Sequence, residues 1–243
     1  GEGSWQESLT VMAYAPDAWS SYVYAGVAAR LVLAFGTREQ AMGITYRNSA
    51  LKAMQWAEAE LKKAGDRKLP IEVNDARNLA AAELFRLTGD AAWHGIFLAT
   101  TVFKDPKADL WKWQSHEQRD AAWVYLRTQR PGVDAAIQAN CRAAVLREAD
   151  ERLDSQGKAG FRWMKYAWRP FGWGCPVTPE GESVVRAHAL TGEQKYLRAL
   201  VLAAQFGAGA NPLNLCYTTG LGHKSPQHPL HIDSRIPNQP PPP

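Results

Sequence analysis

Apolar residues recur along this chain mostly at a spacing of three to four, the period of a helix with one buried face. From Asp17 to Phe35, Trp19, Tyr22, Val23, Val27 and Leu31 follow that spacing, and Gly36 closes the run. Thr37-Arg38-Glu39-Gln40 reads as a capping box opening a helix to Lys63, with Gly65 as its stop. A third helix is expected from Val73 to Leu87, ended by Gly89. Asp90 then caps a fourth that carries Trp93, Phe97 and Val102. Ser115-His116-Glu117-Gln118 reads as a second capping box, ahead of the periodic Ala122, Trp123 and Leu126. A long helix follows from Asp134 to about Leu153, and two more near Glu180 to Leu190 and Glu193 to Gln205.

No strand pattern of alternating apolar and polar residues intervenes, so the expected fold is all-α and a single domain over residues 1–243. Two stretches break the helical rhythm, Asp154 to Pro179 and Asn211 to Pro243, and long irregular segments on a helical scaffold commonly carry binding and chemistry. A weak internal repeat adds to the picture. Glu83-Leu84-Phe85-Arg86-Leu87-Thr88-Gly89-Asp90 is echoed by Arg186-Ala187-His188-Ala189-Leu190-Thr191-Gly192-Glu193. Both copies end one helix at Leu-Thr-Gly and open the next with an acid three residues before an aromatic. Helix pairs repeated in this way build solenoids or closed α/α barrels.

Composition narrows the functional classes. The net charge of +4 is spread among acids rather than gathered in one stretch, which argues against a nucleic-acid binder. No apolar run approaches the roughly 20 residues of a membrane span, and no signal peptide is apparent at the start. Ten Trp serve either a large core or platforms for flat apolar faces, of which sugar rings are the common case. Trp5, Tyr14, Trp19, Tyr22 and Tyr24 form one aromatic group near the start; Trp111, Trp113 and Trp123 are expected to pack in the core or between helices. Cys141, Cys175 and Cys216 lie far apart without metal spacing and read as buried thiols. His94, His116 and His188 fall on expected helices, and His223, His228 and His231 in one loop match no zinc motif. No cofactor is expected, and calcium is not indicated.

The decisive stretch runs from Gly207 to Arg235. It holds Gly209-Ala210-Asn211-Pro212-Leu213, then Tyr217-Thr218-Thr219-Gly220-Leu221-Gly222, then Ser225-Pro226-Gln227-His228-Pro229. These parts, in this order, resemble the signature region of glycoside hydrolase family 9. The resemblance implies that the chain is the latter part of a catalytic domain shaped as a six-fold α/α barrel of helix pairs. It also implies hydrolysis of a β-linked glycan, such as a cellulose-, glucan- or chitosan-derived chain, with inversion. Where the commoner cellulase pattern has Pro-His-x-Arg, this chain reads Pro229-Leu230-His231-Ile232. His231, Asp233 and Arg235 are therefore expected to bind sugar from shifted positions, which points toward the exo-glucosaminidase-like branch. Read without the resemblance, His231 and Arg235 only tie down an irregular loop.

Phe161 to Gly174 packs six aromatics among Arg and Lys. Trp163, Tyr166, Trp168 and above all Trp173 are candidate sugar platforms, joined by Tyr217 and His228; the competing reading is a small aromatic core under a long loop. An inverting enzyme needs two carboxyl groups about 6.5–9.5 Å apart. The resemblance implies an upstream Asp pair as base and a downstream Glu as acid. Asp105/Asp109 and Asp150/Asp154 do not match that context, so the catalytic carboxylates are expected outside this chain. Alone, the chain is expected to be inactive, its partners a polysaccharide and the rest of its own domain. Location outside the cytoplasm, secreted or periplasmic, is implied by the resemblance only. A noncatalytic helical-repeat module that binds glycan or protein is the alternative.

Overall fold

A computed structural model describes residues 15–65, 69–164 and 180–227. The described residues are overwhelmingly helical, with one very short hairpin. They group into two compact units.

The unit ending at Glu148 is built on α1 (Ala18–Phe35), α2 (Gln40–Ala64) and α3 (Ile71–Thr88), with α1 packed on both of the others. The Asp17 carboxylate caps α1 by accepting the Ser20 N–H at 2.8 Å. The inner face of α1 is Tyr22, Ala25, Gly26, Ala28 and Ala29. A Cβ at Gly26 would stand 3.4 Å from the Ala80 Cα, so small residues are what bring the two backbones close. Six consecutive residues of α3, Ala80 to Phe85, are buried, which makes it the central helix of this unit. Two of its charged members, Arg77 and Glu83, are paired. Arg77 grips Glu58 with two 2.6 Å hydrogen bonds, Tyr22 donates to the same carboxylate, and the Arg30 guanidinium reaches the fully buried Glu83.

By length and composition α1 could cross a membrane, with a mean hydropathy of 1.2, which corrects the reading that no run comes near a span. Yet Arg30 lies in it, paired to Glu83, and its buried face packs on α2 and α3.

α3 passes through Gly89 into α4 (Ala91–Thr100), capped as expected by Asp90, which accepts the Ala92 N–H at 2.8 Å. Val102 lies beyond the end of α4, because the chain turns extended at Thr101 and the Val102 N–H is taken by the Gln118 side chain. An irregular stretch then forms the antiparallel hairpin of β1 (Trp111–Lys112) and β2 (His116–Glu117). After it come α5 (Arg119–Tyr125) and α6 (Ala135–Lys158), the latter capped by Asp134.

Both capping boxes fail, for different reasons. Residues 36–39 form a turn, and α2 starts from Glu39 with no side-chain cap, leaving Thr37 too far upstream. Ser115 is in the hairpin turn and His116 in β2, so His116 is not helical. The Asp75 carboxylate accepts the Glu117 N–H at 2.6 Å and holds the segment extended until Arg119.

The second unit takes up the end of α6, which reaches Lys158 rather than Leu153. The first expected irregular stretch thus begins five residues late; an Asp154–Lys158 pair at 2.6 Å spans one turn of the added helix. After a 3-10 turn at Gly160–Arg162, the described chain resumes with α7 (Glu182–Thr191) and α8 (Gln194–Gly207). Cys141 is buried, and burial pushes its thiol up to about 12; Cys216 is half-buried and also free. Cys175, Trp5 and Tyr14 lie outside the described residues.

Candidate functional site

The turn after α8 is organised by one side chain. Asn211 is buried and uses both ends of its amide: Nδ2 donates to the Phe206 and Leu215 carbonyls at 2.7 and 2.8 Å. Its Oδ1 accepts the N–H groups of Leu213 and Leu215. A side chain with two donors and an acceptor can close such a turn, whereas a carboxylate, which only accepts, cannot. The chain then doubles back, with the Tyr217 N–H donating to the Gly207 carbonyl at 2.9 Å and Cys216 N–H to Lys224 at 2.8 Å. Gly220 and Gly222 both sit at positive φ, and a Cβ on Gly222 would stand 3.2 Å from that of Cys216. The Gly-x-Gly of the sequence is thus a backbone requirement.

Folding back in this way lays Tyr217 on Phe206, with ring centroids 6.3 Å apart and planes 24° apart. Phe206 in turn faces Trp163 at 5.8 Å and 25°. Trp163 leaves the 3-10 turn, in which Phe161 and Arg162 hold φ of 55° and 57°. The Gln156 amide secures that turn by donating to the Arg162 and Ala199 carbonyls. Trp163 and Tyr217 are half-buried; the Trp163 indole N–H is buried without a hydrogen-bond partner among the described residues. Burial raises the Tyr217 hydroxyl pKa, so this phenol stays neutral. Next to the stack, the Glu180 N–H donates to the Met164 carbonyl at 2.8 Å, and the Glu180 carboxylate faces Arg152 at 3.4 Å.

Two of the expected site residues, Trp163 and Tyr217, are therefore brought together, through a third aromatic. Trp173, Tyr166, Trp168, His228, His231, Asp233 and Arg235 lie outside the described residues. Phe206 and Asn211 were missed as site-forming residues. The available signal was that Phe206 is the last periodic apolar residue of α8 and Asn211 the centre of the Asn-Pro-Leu turn.

The described acids set aside from the sequence have structural partners. Asp105 accepts the Lys107 N–H, Asp109 faces Arg147, Asp150 accepts from Tyr196 and Lys195, and Asp154 pairs with Lys158. Glu182 lies in the first turn of α7.

Three aromatics depart from expectation. Trp113 is 71% exposed in the turn of the hairpin, with Trp111 half-buried beside it in β1. Trp123 is also only half-buried, under the Arg127 guanidinium at 4.1 Å. The aromatics near the start are split between faces of α1, Tyr22 inward and Trp19 and Tyr24 exposed.

Residues 7–243 match the family model described as glycosyl hydrolase family 9. The chain belongs to this family. A xyloglucan-specific endo-beta-1,4-glucanase of Bacteroides ovatus is 29% identical over 115 residues, covering 45% of this chain and 19% of the relative. An endoglucanase C of Cellulomonas fimi is also 29% identical, over 193 residues, covering 70% of this chain and 16% of its own length. The solved structure of AaCel9A in complex with cellobiose-like isofagomine superposes with a TM-score of 0.74 at 20% identity, over 94% of this chain and 45% of that one. This family 9 chain thus spans under a fifth of those two curated relatives. Its helix pairs are those of an all-α domain, and the family's solved neighbours are α/α barrels.

Proposed function

We propose that this family 9 chain is the latter part of a catalytic domain that hydrolyses β-linked glucans with inversion, using carboxylates supplied by the remainder of the protein. The observation that carries the reading is the Asn211 turn, which sets Tyr217 onto the Phe206–Trp163 stack within a chain matched by the family model from residue 7 to its end. A wall of flat aromatic faces suits the C–H faces of β-linked sugars. Trp173, Tyr166 and Trp168 are assigned to the same wall, and His228, His231, Asp233 and Arg235 to the sugar hydroxyls, where an Arg fork and an imidazole offer several donors. The shifted His231 and Asp233 make an amino sugar the substrate to test against plain glucan. Such enzymes act on polysaccharide outside the cytoplasm, and that location is part of the proposal.

The acids the reading lacks are consistent with it. The described carboxylates at 105, 109, 150 and 154 each have a local structural partner, a backbone N–H or a cation. The test is to follow product stereochemistry by proton NMR with the full-length protein on cello-, xyloglucan and chitosan oligomers. An initial α-anomer from a β-linked glucan is expected; an initial β-anomer, or no turnover of any of the three, overturns the proposal. The 243-residue chain alone is expected to release no product.

A further inference from the structure

Arg152 and Gln156 stand one turn apart on α6, and both are buried polar side chains. Each holds one end of the segment that carries Tyr166, Trp168 and Trp173. On the entry side the Gln156 Nε2 donates to the Arg162 carbonyl at 3.1 Å and to the Ala199 carbonyl at 2.7 Å, which ties the 3-10 turn to α8. One amide nitrogen has two hydrogens, and both are used. On the exit side the Arg152 guanidinium lies 3.4 Å from the Glu180 carboxylate.

The two ends also meet each other. The Glu180 N–H donates to the Met164 carbonyl at 2.8 Å, so residues 165–179 leave and rejoin the described chain at one point. That neck is closely packed: Met164 is buried, and a Cβ on Gly181 would stand 3.4 Å from its sulfur and 2.8 Å from the Leu200 side chain. Just before the neck, Phe161 and Arg162 hold left-handed φ of 55° and 57° in succession. Residues with a Cβ keep that conformation only where surrounding contacts fix it. Here the Gln156 amide takes the Arg162 carbonyl, and the Arg162 guanidinium donates to the Gly157 carbonyl at 2.8 Å. Trp163 follows this turn directly, so the turn sets its direction.

We propose that Arg152 and Gln156 are positioning residues, a single clamp on α6 that fixes both ends of the aromatic segment and the direction in which Trp163 is presented to a glycan. Stability alone would be served as well by apolar side chains at these two places, because a buried ion pair often adds little over well-packed apolar groups. What the polar pair adds is geometry, since its hydrogen bonds and charge contact hold only over a narrow range of distance and angle. The clamp acts through the backbone at 162 and the carboxylate at 180. The inference rests on the reading of Trp163 as part of a sugar-binding wall in a family 9 hydrolase, and it names the residues on which that wall depends.

The test is steady-state kinetics of the full-length protein on whichever of the cello-, xyloglucan and chitosan oligomers the wild type hydrolyses. Gln156→Met keeps the length of the side chain and removes both donors; Glu180→Gln keeps the shape and removes the charge facing Arg152. Each is expected to raise KM about fivefold, the contribution of one aromatic contact, with kcat within about twofold of wild type. Adding Gln156→Met to Trp163→Ala is expected to raise KM no further. The control is Tyr196→Phe, which removes a hydrogen bond from an equally buried side chain to Asp150 on the same helix, outside the clamp. It is expected to lower Tm and leave KM unchanged, as a purely structural role for Gln156 would. Wild-type KM in the clamp variants, or an equal rise of KM in Tyr196→Phe, overturns the clamp and leaves the proposed function standing. Should Gln156→Met not fold, Glu180→Gln decides. No turnover of any of the three oligomers by the wild type overturns both.

Discussion

The junction between α3 and α4 and that between α7 and α8 take the same backbone path and differ in almost everything around it. Gly89 has φ 75° and ψ 7°, Gly192 φ 71° and ψ 3°, and each donates its N–H at 2.8 Å to the carbonyl four residues back. Before each glycine a threonine hydroxyl donates into the finished helix, Thr88 to Leu84 and Thr191 to Ala187. The same hydroxyl accepts the N–H of the acid that opens the next helix. This bracket is local, closed within a few residues, and both copies of Leu-Thr-Gly-acid in the chain form it.

The side chains part company. Asp90 reaches the Ala92 N–H, while the longer Glu193 makes no cap and faces Lys195 at 3.3 Å. Phe85 is buried and stacks on His94 at 4.3 Å; its counterpart His188 is half-buried and donates from Nδ1 to the Glu193 carbonyl. At the head of the repeat a fully buried carboxylate, Glu83, stands where the other copy has a buried guanidinium, Arg186. Glu83 is surrounded by Arg30 and Arg86, whereas Arg186 pairs with Glu182 one turn back. The lesson is that the repeat conserves what the backbone needs and lets each site choose its charge.

Copying the second junction's charge into the first should break the equivalence most severely. Glu83→Arg places a buried cation against Arg30 and Arg86, and a loss of about 4 kcal/mol or more is expected from thermal or denaturant unfolding of the full-length protein. A near-wild-type stability would mean that the buried pair around Glu83 contributes nothing.

The caps separate more gently. Asp90→Ala is expected to cost about 1 kcal/mol, and Glu193→Ala less than half of that, because only the first loses a hydrogen bond to the helix end. Equal losses in paired melting curves would show that charge near the helix start, rather than capping, is what matters.

The smallest effect is a pH slope. Burial lowers the His94 pKa below 6.5, with the Asp134 carboxylate working weakly against it. The Tyr125 hydroxyl accepts the Asp134 N–H, so its own proton is left for the neutral His94 ring at 2.8 Å. A histidine depressed in the folded state binds fewer protons there than in the unfolded chain. Its stabilisation is complete above pH 6.5 and is lost as the pH falls through and below that value. His94→Phe should keep the stacking on Phe85 and flatten the decline in Tm between pH 7 and 5; an unchanged slope would assign the decline to other groups.

Periodicity and punctuation were enough to find each long helix and most of its stops, because a glycine at positive φ and an apolar face are properties of a short window. The ordered motifs from Gly209 to Ser225 were likewise readable, since a turn such as that of Asn211 is written in adjacent residues. What failed were the places where a distant group overruled a local signal. Ser115 and His116 carry a helix-start pattern, yet Asp75, some forty positions earlier, takes the Glu117 N–H and keeps the chain extended. Trp113 falls in the turn of the resulting hairpin, so a tryptophan expected in the core became the most exposed of the large apolar groups described.

The sequence by itself determined the helices, their glycine stops, the Thr-centred junctions and the family, because each depends on neighbours a few residues apart. Only the tertiary structure decided that Trp163 and Tyr217 meet through Phe206, that Glu83 is held by Arg30, and that the Trp111–Trp113 pair faces water. Those outcomes depend on which segments pack together, and no short window of sequence records that.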